Sequence, residues 1–338
     1  MTDQKPIKMA IAGLGMIGKR HAALIAANQF TELTAVCDIK PRSETGLESQ
    51  ATYYNNLTEL MKMQPDIEVV NICTPNGLHA SMAIEVLEAG RHVVIEKPMA
   101  LSKADAEKII FKALQMSRQV FVVMQNRYSP PAQWLKTLIG EKQLGEIYMV
   151  QVNCFWNRDE RYYTGKNWHG TAAMDGGTLF TQFSHFIDML YWLLGDITNI
   201  KATFRDFNHQ ALTQFEDSGC ITFDLVNGGM GTFNYSTSVW NSNMESSMTI
   251  IGSKGSIKVA GQYMNEVEYC QIKDYELPLL APSNPPNNYG GYKGSAANHH
   301  YIIDNVVKTL RGKESIGTNA LEGLKVVEII ERIYSLKP

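Results

Sequence analysis

The chain lacks any apolar run approaching the roughly 20 residues a membrane helix needs, so no membrane partner is expected. Cysteine is scarce. The five at positions 37, 73, 154, 220 and 270 are scattered, odd in number and form no C-x-x-C pair. That usage suits a reducing cytoplasm and offers no zinc site. Excess charge of one sign is missing too: 31 Lys and Arg stand against 34 Asp and Glu, a net −3. Without a basic stripe to displace counterions, nucleic acid is excluded as a bulk partner. An anionic ligand would need a local cationic pocket. Internal repeats and low-complexity tracts are absent. Met1 to Lys8 is polar and runs straight into an apolar stretch, so no signal peptide is expected and the cytoplasm is the expected location.

What is present is a globular composition, 44% hydrophobic and 19% charged, over 338 residues. That length exceeds one ordinary core, so two domains are expected. Ile7 to Ala12 reads as a strand and leads into Gly13-Leu14-Gly15-Met16-Ile17-Gly18. An Ala-rich helical stretch, Lys19 to Ala27, follows. In this strand–turn–helix context Gly13 allows the tight turn, Gly15 lets a pyrophosphate approach the backbone, and Gly18 lets helix and strand pack closely. The helix start, with Met16 and Ile17, offers N–H groups to the phosphates. The alternative is a glycine-rich turn in an ordinary βα unit, and it weakens at the next strand. Leu33 to Cys37 ends in Asp38, about 20 residues past the glycines, where an acid accepts hydrogen bonds from the adenosine ribose. A carboxylate there repels a 2′-phosphate, which favours NAD over NADP; Lys40 and Arg42 keep the preference from being absolute.

Ile67 to Ile72 is the next strand and runs into Thr74-Pro75-Asn76-Gly77-Leu78-His79. Thr74, Pro75, Asn76 and His79 thus fall at the crevice beyond the strand ends; turn and capping chemistry is the other use for such residues. Val93 to Ile95 is a buried strand that breaks into Glu96-Lys97-Pro98. Adjacent charges at a buried strand end are either a surface ion pair of little value or groups placed in the crevice. Pro98 stops the strand and restricts Lys97, so its amine projects from a fixed point. Ser102 and Asp105 look like a helix start, and Gln119 to Met124 is one more strand. This alternation is the doubly wound parallel pattern.

From about Arg127 the rhythm changes. Strands are expected at 147–155, 200–207, 221–226, 230–238, 248–251, 256–259 and 267–272, with hairpin turns at Asn227-Gly228-Gly229 and at residues 252–255. Strands in succession with little helix between them mean an antiparallel sheet. One face must be covered by helices or by another subunit, so self-association through this sheet, as a dimer or tetramer, is expected. Trp156 to Gly170 mixes aromatic and cationic residues. Either Arg158, Arg161 and Lys166 reach a carboxylate or phosphate while Tyr163 and Trp168 face a sugar ring, or this is a solvated loop whose Asp159 and Glu160 neutralise the arginines. Residues 177–194 read as one helix carrying His185 and Asp188. The segment 280–297, with Tyr289, Tyr292 and Lys293, is irregular and long enough to be functional. His299 and His300 invite a metal reading. No carboxylate or third ligand accompanies them in sequence, and neighbours on a helix point apart, so no metal is expected. Residues 321–334 form an amphipathic packing helix.

Taken together, Gly13-x-Gly15-x-x-Gly18, Thr74-Pro75-Asn76-x-x-His79, Glu96-Lys97-Pro98, Asn126-Arg127-Tyr128-x-Pro130 and Gly176-Gly177 followed by His185-x-x-Asp188 resemble the Gfo/Idh/MocA family of nicotinamide-dependent sugar and polyol oxidoreductases. The resemblance implies an α/β protein, with a Rossmann domain over 1–126 and an α/β domain with a large, mostly antiparallel sheet over 127–338. It implies that Lys97 lies in the active site and acts in proton transfer, and that His185 lies beside the substrate. Glu96, Lys97 and Asn126 join Gly13 to His79 as cofactor residues. Arg127, Tyr128, Arg158, Trp168, His169, Thr181 and Tyr292 are the expected substrate residues. Many members carry an acid four residues before the histidine, whereas here Thr181 stands in that place, so a Lys–Asp–His triad is not carried over. Asp188 either orients the His185 ring or pairs elsewhere. The expected activity is NAD-dependent oxidation of a secondary sugar hydroxyl, best matched by a UDP-N-acetylglucosaminuronate oxidised at C3. An inositol or simple sugar dehydrogenase and a non-catalytic NAD-binding regulator are the alternatives.

Overall fold

The computed structural model describes residues 5–165 and 168–337. The chain divides into two compact units, Met1–Val123 with His299–Val327 and Met124–Asn298 with Glu328–Pro338.

In the first unit strands and helices alternate: β1 (Ile7–Ala12), α1 (Met16–Ala27), β2 (Thr31–Cys37), α2 (Arg42–Thr45), β3 (Thr52–Tyr54), α3 (Leu57–Met63), β4 (Val69–Ile72), α4 (His79–Glu88), β5 (His92–Ile95), α5 (Lys103–Met116) and β6 (Val120–Val122). The strands form one sheet in the order β3-β2-β1-β4-β5-β6, parallel throughout. Val93, Val94 and Ile95 of β5 are fully buried, as strands covered on both faces must be. Ser102 caps α5 as expected, accepting from the Asp105 backbone at 3.1 Å and donating to its carboxylate at 2.9 Å. This strand order reverses direction at β1/β4, which puts a ligand crevice beyond the carboxyl ends of these strands.

The second unit holds α6 (Pro130–Gly140), β7 (Ile147–Phe155), α7 (Glu160–Tyr163), a π-type turn (Leu179–Phe183), α8 (Ser184–Leu194), β8 (Ile197–Arg205), β9 (Ser218–Leu225), β10 (Met230–Ser236), β11 (Glu245–Gly252), β12 (Gly255–Ala260), β13 (Glu266–Ile272), β14 (Pro286–Asn288) and β15 (Lys293–Ala296). β7 to β13 make a seven-stranded sheet in the order β13-β12-β11-β7-β10-β9-β8. Only β7 and β10 pair in parallel; the other pairs are antiparallel. Alternate residues are buried, such as Val150, Val152 and Cys154 of β7 and Phe233 and Tyr235 of β10. Phe183 and Phe186 pack edge-on against Trp156, and Phe183 also meets the Tyr235 ring. The other face carries Gln151, Cys220 and Thr222, which are exposed.

Two expectations change. Residues 177–194 are not one regular helix: Gly176 and Gly177 adopt φ of +88° and +122°, and the Leu179 N–H is taken by the Tyr334 hydroxyl at 2.8 Å. The chain therefore enters α8 through the π-type turn. The second change concerns the boundary. Beyond the second unit, α9 (His299–Leu310) and the start of α10 (Ala320–Tyr334) belong to the first unit. Asn28 donates to Asp304 at 2.8 Å. The Val122 N–H reaches the Thr318 carbonyl at 3.0 Å and Phe121 bridges to Asn319, covering the edge of β6. An amphipathic pattern shows that a helix must bury one face and not which sheet it covers, so the division into 1–126 and 127–338 misses this return.

Candidate active site

In the first unit the site starts where β1 ends. Gly13 has φ +91°, and a Cβ there would lie 2.7 Å from the Cys73 carbonyl oxygen. A Cβ on Gly18 would lie 1.9 Å from the Gly13 carbonyl oxygen, so α1 could not approach β1 so closely with any other residue. At Gly15 a Cβ would meet nothing within 4 Å. α1 begins at Met16 with no side-chain cap on its first turn; its leading N–H groups have no intrahelical partners. Gly15 and Met16 are exposed and Ile17 half-buried, which leaves this positive helix end open to an anion.

Asp38 follows β2. Its Oδ2 accepts from the Leu14 N–H at 2.6 Å and its Oδ1 from the Lys40 N–H at 2.9 Å. The carboxylate is thereby tied to the glycine turn, with lone pairs left over for a ribose. After β4, Thr74 and Pro75 are half-buried and Asn76 opens a short 3₁₀ turn. The Thr74 hydroxyl oxygen is buried without a hydrogen-bond partner among the described residues. His79 is buried, with Nδ1 2.7 Å from the Pro98 carbonyl and Nε2 2.9 Å from the Thr74 carbonyl. Burial pushes its pKa down against the pull of those carbonyls. Expected at the cofactor, it instead braces the two loops that flank the crevice.

After β5 the Lys97–Pro98 peptide is cis and Lys97 is half-buried. Glu96 does not turn toward solvent or a ligand. It is 6% exposed, and its carboxylate meets His21 Nε2 at 2.9 Å and His299 Nε2 at 3.5 Å. Burial raises its pKa, but hydrogen bonds from the two histidines outweigh that and hold the carboxyl well below its usual range.

In the second unit, Asn126 lies in a 3₁₀ turn, Gln125–Tyr128. Its Oδ1 accepts from Ser295, and its Nδ2 is buried without a partner among the described residues. Tyr128 beside it is half-buried. Arg127, expected at the substrate, is buried and donates bidentately to Asp188, Nε to Oδ2 at 2.8 Å and Nη2 to Oδ1 at 2.6 Å. Asp188 is thus the carboxylate partner of Arg127. His185 itself is the second residue of α8 and is 2% exposed. The Thr181 hydroxyl, in the π-type turn, lies 2.8 Å from the Asp175 carbonyl and is also hydrogen-bonded to the Asp175 carboxylate. Asp175 is buried and accepts the Gly170 N–H at 2.8 Å. An acid thus stands next to Thr181 after all, supplied from six residues upstream where no helical spacing would place it.

The aromatic loop resolves in two ways. Arg161 pairs with Asp159 at 2.6 Å and is exposed, the solvated alternative. Arg158 is only 2% exposed. Its Nε donates to Gln182 at 2.6 Å, Nη1 to Asn157 and Asn243, and Nη2 to the Lys293 carbonyl at 3.1 Å. Its guanidinium lies over Trp156, Tyr162 and Tyr292 at 4.8, 5.2 and 5.0 Å. Neutral acceptors and ring faces hold this cation, and it ties the loop to β15 rather than reaching out from it. His169 stacks near Tyr162 at 4.4 Å and Trp168 meets His169 edge-on at 4.0 Å. Lys166 lies outside the described residues.

Residues 7–124 match the family described as "Oxidoreductase family, NAD-binding Rossmann fold", and residues 132–258 match the GFO/IDH/MocA C-terminal domain. The chain belongs to the Gfo/Idh/MocA oxidoreductases. This oxidoreductase is similar over 99% of its length to the WlbA dehydrogenase of Chromobacterium violaceum, at 33% identity and TM-score 0.86, covering 94% of that chain. It is similar over 98% to the WlbA dehydrogenase of Bordetella pertussis, at 30% identity and TM-score 0.87, covering 96%. Both were crystallised with NADH and UDP-GlcNAcA. Inositol 2-dehydrogenase of Salmonella typhimurium is 27% identical over 66% of this chain, which spans 65% of that enzyme.

The cofactor of this Gfo/Idh/MocA oxidoreductase is NAD. The first unit fits it: the glycine turn leaves room only for backbone, the helix start is open, and Asp38 is anchored beside the turn. Sequence reasoning missed His21, Asn71, Asp175 and Gln182 as neighbours of site residues. The one local signal was His21, which lies one turn beyond Gly18 on the buried face of α1.

Proposed function

We propose that this enzyme oxidises a secondary hydroxyl of a nucleotide-sugar uronate, a UDP-N-acetylglucosaminuronate oxidised at C3 being the best match. The carrying observation is similarity over nearly the whole chain to two dehydrogenases crystallised with NADH and UDP-GlcNAcA. In this reading Lys97 accepts the proton of the reacting hydroxyl, and His185 shares the proton chemistry. Bound NAD would take the hydride. Thr74 and Asn126, each with a buried polar atom that nothing among the described residues satisfies, are the proposed hydrogen-bonding contacts for cofactor or substrate. Trp168, His169, Tyr292 and Tyr128 are the proposed apolar and polar lining for the sugar. Arg127 acts from behind, by holding Asp188.

Calorimetry with UDP and an NADH-formation assay test the substrate. UDP is expected to bind in the presence of NAD, and UDP-N-acetylglucosaminuronate to give NADH. A second reading, a polyol dehydrogenase, follows from the similarity to inositol 2-dehydrogenase. Absence of heat with UDP, together with NADH formation from inositol, would replace the first reading by the second. The same proposal includes self-association through the open face of the seven-stranded sheet. Light scattering is expected to give a dimer or tetramer mass, and a monomer would remove that part.

A further inference from the structure

His21 of α1, Asn71 of β4, Glu96 beyond β5 and His299 of α9 meet inside the first unit, next to the Lys97 backbone. His21, Asn71 and His299 are 2% exposed or less. Asn71 Nδ2 donates to the Ala10 carbonyl at 3.2 Å, and Asn71 Oδ1 lies 3.1 Å from His21 Nδ1. His21 Nε2 lies 2.9 Å from Glu96 Oε1, and His299 Nε2 lies 3.5 Å from the same oxygen. The two imidazoles meet edge to face at 5.7 Å. The other Glu96 oxygen accepts the Lys97 backbone N–H at 3.3 Å. The carboxylate missing beside His299 in the sequence is thus supplied by the fold, with the His21 imidazole on its other side.

A donor inventory gives the charge state. The Ala10 carbonyl can only accept, so it fixes which end of the Asn71 amide faces it; Oδ1 is left for His21, and Nδ1 must donate. The 2.9 Å contact between His21 Nε2 and Glu96 Oε1 is a hydrogen bond that holds one proton between the two groups. That proton offsets the carboxylate charge, so His21 and Glu96 together are neutral. These side chains have ligand atoms within 4.8 Å of one another. A metal would need the Nε2 lone pair that this proton occupies, and the 2.9 Å contact is already a hydrogen bond.

We propose that Asn71, His21 and His299 are positioning residues for Lys97: they lock Glu96 into a neutral buried ion pair and so set both the direction and the charge surroundings of the neighbouring amine. This rests on the proton-transfer role proposed for Lys97. An ionised Glu96 alone would favour the ammonium form and oppose proton acceptance; the proton it shares with His21 cancels that. Among the described residues, Arg20 from α1 also faces His299, Cys73 faces Glu96, and His79 faces both Glu96 and Lys97. Burial and Glu96 hold the Cys73 thiol well above its usual range, and burial pushes His79 down.

The test is the kcat–pH profile of the NAD-loaded enzyme, with NAD affinity measured separately, for the wild type, His21→Gln, Glu96→Gln and Lys97→Met. Deprotonated Lys97 is the active form, so its pKa sets the acid limb. His21→Gln leaves the Glu96 carboxylate without its counter-proton and is expected to move that limb to higher pH by about one unit; Glu96→Gln removes the carboxylate and is expected to move it lower. NAD affinity is expected to change less than about twofold in both. Asn71→Asp adds a negative charge at constant shape and gives the upward shift if His21→Gln does not fold. A purely structural cluster would lower activity without moving the limb in opposite directions. Limbs that stay in place or move together, with Lys97→Met inactive, overturn the clamp alone. An active Lys97→Met overturns the role of Lys97 on which it rests.

Discussion

Replacing Lys97 with Met is expected to lower kcat by about a thousandfold, within the range that a positioned acid or base supplies, while NAD binds almost as before. The two halves of that expectation have separate physical sources. The groups proposed to hold the cofactor are the glycine turn, the open start of α1 and Asp38, and none depends on the lysine amine. Met keeps the length and apolar stem of Lys, so the turn between β5 and Pro98 keeps its filling. Only the titratable nitrogen is lost. Stopped-flow or steady-state NADH formation gives kcat, and fluorescence titration gives the NAD affinity. A kcat within tenfold of wild type would place the base elsewhere, and His185 would be next to replace.

Breaking the Arg127–Asp188 pair is expected to cost the fold more than any other single polar change. Both side chains are almost wholly buried, at 3% and 0% exposure, with two charge-assisted hydrogen bonds between them. The guanidinium also lies 5.2 Å from the centre of the Trp192 ring. Asp188→Ala strands that cation without its carboxylate, and losing one member of such a pair costs about 3–5 kcal/mol. The double variant Arg127→Met/Asp188→Leu removes both charges and is expected to recover most of the loss, because apolar groups need no compensation. Urea unfolding of the full chain measures this. A loss below about 1 kcal/mol for Asp188→Ala would mean that water or another acid reaches Arg127.

Much of the cofactor half was legible because its signals are local. Gly13 and Gly18 are required by backbone geometry within a few residues of one another, and Asp38 follows from the length of one helix and one strand. The second sheet was legible for a related reason: alternation and glycine turns such as Gly228-Gly229 are read within a hairpin. The substrate half was less so. Arg158 and Arg161 lie three residues apart in the same loop, yet one is buried under aromatic rings and the other is exposed on Asp159. Nothing in their neighbours distinguishes them; the difference comes from Gln182, Asn243 and Lys293, far along the chain.

By itself the sequence determined that a parallel αβ unit with a dinucleotide turn precedes an antiparallel sheet, and that Lys97 ends a buried strand at the crevice. These follow from periodicity, glycine stereochemistry and proline, all short-range. Only the tertiary structure decided what surrounds the reactive groups. α9 returns from the far end of the chain to set His299 on Glu96, α1 brings His21 to its other side, and Asp175 restores a carboxylate beside Thr181. The reason is physical. A buried charge is settled by whichever distant donors close around it, and which elements come to pack there is a property of the folded core rather than of any stretch of chain.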